Sequence, residues 1–158
     1  MDESTQINQK RSYELEEQIQ VVAFQLGQEE YAVNILDVLE INRLLNITRV
    51  PRADVNIDGV INLRGNIIPI INLHRRFDLE ALEDDDEQRI IVFQFDEVKA
   101  GIIVDRVSEV LYLNRSQIEA SERVYSAMDS NFIEGIAKVD DRLLILLNVK
   151  RLLGIESL

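Results

Sequence analysis

Phe24-Gln25-Leu26 and Phe93-Gln94-Phe95 stand 69 positions apart, and the residues that follow them match without a gap. Val33 falls on Ile102, Ile35 on Val104, Val38 on Val107, Glu40 on Glu109 and Ile41 on Val110. A second block repeats at an offset of 76, setting Gly59-Val60 on Gly135-Ile136, Ile67-Ile68 on Leu143-Leu144, Asn72-Leu73 on Asn148-Val149 and Arg75 on Arg151. The seven-residue difference is absorbed between Asn114 and Phe132. Two blocks in the same order, twice, identify a duplicated unit.

Within each unit the apolar residues follow the period of a strand. Ile19, Val21 and Ala23 alternate with Val22, Phe24 and Leu26, and both sets are apolar, so both faces are expected to be buried. A turn at Gly27 to Glu30 leads to Tyr31, Val33 and Ile35, and the same hairpin recurs as Ile90 to Phe95 and Ala100 to Val104. Val60 to Leu63, a turn at Arg64-Gly65-Asn66 and Ile67 to Ile71 form another hairpin, repeated as Ile136 to Leu147 around Asp140-Asp141. Pro69 inside a strand predicts a sheet edge or a bulge. Asn72 and Asn148 are placed to cap short helices, Leu73 to Phe77 and Val149 to Leu153, and Ser116 with Glu119 has the spacing of a capping box.

Runs such as Leu143 to Leu147 are apolar on both faces of a strand. One face fills the unit's own core, and the other needs a second cover. A unit of about 60 residues is marginal alone, because it buries only about 60% of its surface. Packing the two units on each other satisfies both demands. The expected fold is all-β, with two small barrels around an inter-barrel core and a few short helices. The expected organisation is a flexible acidic tail over 1–17, subdomain one over about 18–82, subdomain two over about 88–148, and a terminal helix over 149–156.

Composition narrows the function. The 158 residues carry a net charge of −12, no Cys, no Trp and one His. Residues 1–18 contribute −3 and residues 78–88 contribute −7, so the body is nearly balanced and an acidic linker lies near the seam of the repeat. No basic stripe is available to a nucleic-acid backbone or an anionic membrane. The Asp84-Asp85-Asp86-Glu87 run lacks the alternation and turn Gly of a calcium loop and reads as a solvated linker. Absence of Cys fits a reducing cytosol, and the N-terminus has no basic start or apolar stretch, so a cytoplasmic protein is expected.

Catalytic chemistry finds little support. Six scattered Gly build no phosphate loop, and His74, beside Arg75 and Arg76, is expected to be a surface residue rather than a base. No enzyme, no metal and no cofactor are expected. Arg64 stands apart because it sits at a turn, where side chains are displayed, and its partner in the repeat is Asp140, so the scaffold does not require it. On the residues alone it reads first as a solvated turn arginine beside a Gly needed for positive φ.

The segments Leu26-Gly27-x-Glu29-Glu30-Tyr31, Val38-Leu39-Glu40-Ile41, Gly59-Val60-Ile61-Asn62-Leu63-Arg64-Gly65, Ile68-Pro69-Ile70-Ile71-Asn72-Leu73 and Val104-Asp105-Arg106-Val107-Ser108-Glu109-Val110 strongly resemble the CheW family of bacterial chemotaxis coupling proteins. The likeness runs from about Gln18 to Leu153, and Asn-Leu-Arg-Gly followed by Ile-Ile-Pro is its most specific piece. The resemblance implies two five-stranded SH3-like barrels without catalytic activity. It implies an adaptor, monomeric when free, that joins the cytoplasmic tips of methyl-accepting chemoreceptors to the regulatory domain of the histidine kinase CheA. That domain shares the fold, and the two alternate end to end in rings beneath receptor arrays at the inner membrane. By the same resemblance a receptor groove between the barrels is lined by Val38, Glu40, Ile41, Val107 and Val110. Arg64 and Gly59 match positions that couple receptor and kinase, and Glu119, Arg123 and Val124 align with a ring-contact loop. There, Glu119 and Arg123 are charge-swapped against a common family pattern, and Val124 replaces an aromatic residue.

Two other classes fit the same composition. One is the regulatory domain of a CheA-type kinase as a fragment, whose marker, an ATP-binding region upstream, is not found before residue 19. The other is an oligomerising barrel module without a signalling partner.

Overall fold

A computed structural model of the chain describes residues 17–50, 57–80, 85–120 and 129–155. Eleven strands carry the fold among these residues. The first repeat supplies β1 (Gln18–Leu26), β2 (Glu29–Asn34), β3 (Val38–Arg43), β4 (Ile57–Leu63) and β5 (Asn66–Ile71), followed by the one-turn helix α1 (Leu73–Arg76). The second supplies β6 (Arg89–Phe95), β7 (Val98–Val104), β8 (Arg106–Asn114), the two-residue β9 (Ile118–Glu119), β10 (Ile133–Val139) and β11 (Arg142–Leu147), followed by α2 (Val149–Leu152).

The sheets do not divide along the repeats. One sheet runs β8-β1-β2-β11-β10-β9 and the other β3-β6-β7-β5-β4. Each barrel is therefore built from the first hairpin of one repeat and the remaining strands of the other. The boundary expected between about residues 82 and 88 separates the repeats in sequence, but each sheet draws strands from both sides of it. The exchange is matched pair for pair: Val38 lies opposite Phe93 and Val107 opposite Phe24, which are equivalent pairs under the 69-residue offset.

This topology satisfies the two-faced strands. Val22, Phe24, Leu26, Ile91, Phe93, Ile145 and Leu147 point into one large core between the barrels. Their neighbours alternate into the separate barrel interiors, Val21, Ala23, Leu144 and Leu146 into one and Ile68, Ile70, Ile90 and Val92 into the other. The period of two distributes each strand between a private core and the shared one.

Several local expectations are corrected. Pro69 lies on an interior strand, since β5 sits between β4 and β7, and the bulge is in β4 between Ile57 and Gly59. Val60, opposite Pro69, exchanges both backbone hydrogen bonds with Thr48 on its other side at 2.8 Å each, so β4 asks no N–H of the proline. On the β7 side the two-pair ladder is displaced by one residue, away from Pro69. The parallel pairing of β11 with β2 registers Tyr31–Ile145 and Ala32–Leu146, whereas that of β5 with β7 begins one pair later, at Ile70–Gly101. His74 is no surface residue: its side chain is 13% exposed and its Nε2 lies 2.9 Å from Asp105 Oδ1, a fully buried carboxylate. Asp105 also accepts the Gly27 N–H at 2.7 Å, so this pair ties α1 to the turn after β1 and to the entry of β8. Asn72 and Asn148 cap the two helices as expected, accepting from the N–H of Arg75 and Arg151. The terminal helix is shorter than 149–156 because Gly154 turns left-handed at φ 73°. The cap before β9 belongs to Asn114, whose N–H donates to Gln117, not to Ser116 and Glu119.

Gly59 and Gly135 show how far the duplication reaches. A Cβ on Gly59 would stand 2.4 Å from the Thr48 carbonyl oxygen, and one on Gly135 would stand 2.7 Å from Ile118 Cγ2 and 2.9 Å from the Glu119 carbonyl oxygen. In both repeats a crossing segment pairs with the next residue, Thr48 with Val60 and Glu119 with Ile136.

Two predictions follow from strand exchange and close crossing. Residues 1–82 and 83–158 expressed separately should lack native near-UV signals and slow amide exchange, and mixing them should restore both. Native-like protection in either fragment alone would contradict the shared sheets. Gly59→Ala and Gly135→Ala should each destabilise the chain by about 1–3 kcal/mol, the usual cost of overpacking, as read by denaturant titration.

Candidate functional site

Strands β3 and β8 are edge strands, one in each sheet, at duplicated positions. Each carries a bulge, at Leu39 in the pairing with β6 and at Ser108 in the pairing with β1. On a regular strand, residues three apart point to opposite faces. The extra residue returns Val38 and Ile41 to one face, opposite Phe93 and Ile91 of the shared core. Val107 and Val110 are placed likewise, opposite Phe24 and Val22. Val38 and Val107 are half-buried and pack on the shared core, while Ile41 is 36% and Val110 47% exposed. The structure thus brings four of the expected groove residues to the rim of the inter-barrel core.

The fifth, Glu40, turns the other way. Its cross-strand partner is Val92, which fills the interior of the five-stranded barrel. Arg64 reaches it from the β4–β5 turn with two parallel hydrogen bonds, Nη1 to Oε1 and Nη2 to Oε2, both 2.9 Å. This fork joins β3 and β4, the two edges of that sheet. Hydrogen bonds from Arg64 hold the Glu40 carboxyl below its ordinary value of 4.5 against a desolvation effect that would raise it. A carboxyl depressed on folding stabilises the fold above its unfolded pKa, and that contribution is lost as pH falls through the folded value. Arg64 itself is 74% exposed and holds φ 52°, a left-handed conformation uncommon outside Gly, Asn and Asp. With Gly65 at φ 85° it forms the tight two-residue turn, and the Asn62 side chain accepts the Gly65 N–H.

The second repeat solves the same problem with a different arginine. Glu109, the equivalent of Glu40, accepts from Arg142 at 2.7 Å, and Arg142 also binds Glu30 through its Nε at 2.9 Å. These two glutamates raise the affinity of Arg142 for its proton, Glu109 foremost. The alignment of Glu40 with Glu109 was the available signal. The Arg142 partner was hidden because it lies two residues beyond the position equivalent to Arg64.

Gly59 takes its place in the structure as the crossing point described above, beneath Thr48 rather than beside Arg64. Glu119 is exposed on β9, while Arg123 and Val124 fall outside the described residues. Among the described residues no group of three or more His, Asp or Glu is arranged to hold a metal ion, and no helix is long and apolar enough to cross a membrane.

Comparison with known proteins identifies the relatives of this arrangement. A family model described as CheW-like domain matches residues 20–157. The chemotaxis protein CheW of Treponema pallidum is 34% identical over 147 residues, covering 90% of this chain and 86% of its own length. That of Bacillus subtilis is 37% identical, covering 87% and 88%. The crystal structure of the scaffolding protein TtCheW from Thermoanaerobacter tengcongensis superposes with a TM-score of 0.76 at 39% identity, over 83% of this chain and 84% of that one. With its two SH3-like barrels and near-complete coverage, the chain belongs to the CheW-like family.

Proposed function

We propose that this chain is a non-catalytic adaptor that couples chemoreceptor cytoplasmic tips to the regulatory domain of a CheA-type histidine kinase, working in the cytoplasm at receptor arrays. The observation that carries the reading is the rim of the shared core, where Val38, Ile41, Val107 and Val110 leave apolar surface uncovered at duplicated positions. Apolar surface left on two edge strands beside a shared core suits a helix or helical hairpin that lays its own apolar face on it. The receptor tip is the occupant assigned to it, and the barrel ends remain for the kinase domain and for ring contacts through Glu119, Arg123 and Val124. Arg64 and Gly59 are assigned to coupling in different ways, Arg64 as a displayed cation and Gly59 by letting the chain cross beneath the same hairpin.

Ile41→Asp and Val110→Asp test the groove. Both side chains are exposed, so a carboxylate there stays hydrated and melting temperature should change by only a few degrees. Affinity for a receptor-tip fragment should fall about tenfold or more, since docking would desolvate the charge against apolar side chains. Affinity for the kinase regulatory domain should stay within about twofold. Stable variants that bind the receptor fragment normally would remove the groove assignment. Arg64→Ala removes the fork to Glu40, so melting temperature should fall by a few degrees at neutral pH, and by less once acid protonates Glu40. Partner binding should weaken about tenfold, as for an interface anchor. Unchanged binding to both partners would return Arg64 to a purely structural tie.

A further inference from the structure

The groove lining is duplicated, but its outer rim is not. Beyond Ile41 the next residue on the same face of β3 is Arg43, whose cross-strand neighbour is Arg89. The duplicated positions on the other side are Tyr112 of β8 and its neighbour Gln20 of β1. Arg43 is exposed and has no carboxylate within ion-pair distance among the described residues, and Tyr112 is 65% exposed. Arg89 donates to the backbone carbonyls of Asp86 and Gln88, which leaves its charge in place. One rim therefore carries the exposed cation Arg43, with Arg89 beside it held against the acidic turn at Asp85–Glu87, and the equivalent positions on the other rim are an uncharged aromatic and an amide.

Resting on the groove reading above, we propose that Arg43 and Tyr112 fix the orientation in which a two-helix receptor tip docks. Val38 and Val107 are identical, and Ile41 and Val110 differ by one methylene, so the lining alone accepts an antiparallel helix pair in either of two orientations related by the pseudo-two-fold axis. Only the rim distinguishes them. The helix over β3 presents acidic side chains to Arg43 and Arg89, and the helix over β8 presents an apolar face to the Tyr112 ring. In the reversed orientation the carboxylates lose their cations and lie against an aromatic ring, and the cations face apolar surface. Specificity here comes as much from the penalty on the wrong orientation as from attraction in the right one.

The chain has no Cys, so a single introduced cysteine reports orientation directly. Leu44→Cys beside Arg43 and Ser116→Cys just past the end of β8 are each labelled with a photo-crosslinker and bound to a purified receptor-tip hairpin fragment. The crosslinked helix is then identified by mass spectrometry. Each position should capture a different helix, with about a fivefold preference that shrinks as salt rises. Arg43→Gln should bring the preference within about twofold, and the exchanged double variant Arg43→Tyr with Tyr112→Arg should reverse it. Equal capture of both helices by the parent chain, or an unchanged preference in both variants, would overturn the proposal. Should the exchanged variant fail to fold by near-UV circular dichroism, Arg43→Gln alone decides. Failure of the groove reading looks different: Ile41→Asp and Val110→Asp would then bind the hairpin fragment as tightly as the parent chain.

Discussion

The second apolar face of the strands is the constraint from which the rest of the structure follows. β1, β6 and β11 bury side chains in both directions, so no barrel here is complete as a free body. The shared core between the barrels removes the second face from water, at roughly 25 cal/mol per Å² of apolar area buried. That core also dictates what stays outside. The sheets meet over their central strands, and the edge strands β3 and β8 are reached only partly, which leaves Ile41 and Val110 at its rim. The exposed apolar rim is thus the uncovered margin of the contact that makes the molecule one unit.

The bulges at Leu39 and Ser108 align the apolar side chains of that margin. Without them Val38 and Ile41 would face opposite ways, and so would Val107 and Val110. The same irregularity sends Glu40 and Glu109 to the other face, where an arginine from a hairpin waits for each. One extra residue per strand therefore separates an apolar pair at the rim from a charged residue that ties down the edge of the barrel.

Much of this was legible in the residues. The 69- and 76-residue offsets, the two-faced strands and the asparagine caps all rest on local periodicity, and the structure keeps them. Strand exchange was not legible, because a period of two says which faces are buried and nothing about which strand is the neighbour. Pro69 misled for a related reason: its cost depends on the partner of Val60, and Thr48 is distant in sequence. His74 looked solvated beside two arginines, but its partner Asp105 comes from the other repeat. Family resemblance named the groove residues together, and the bulge divided them, leaving Glu40 with Arg64 instead of with the valines.

Duplication explains the economy of the scaffold and also its difficulty. A pseudo-symmetric rim would offer a two-helix partner of the proposed kind two nearly equivalent poses. The repeats have diverged at several exposed positions. Arg64 and Arg142 secure equivalent glutamates from different positions, so one hairpin tip displays a strained arginine and the other Asp140-Asp141. At the rim Arg43 replaces Tyr112 without touching the shared core. Asymmetry is not confined to the surface: the buried pair His74–Asp105 has Lys150 and the exposed Leu36 at the equivalent positions, so the repeats have diverged inside the fold as well as at turns and rims.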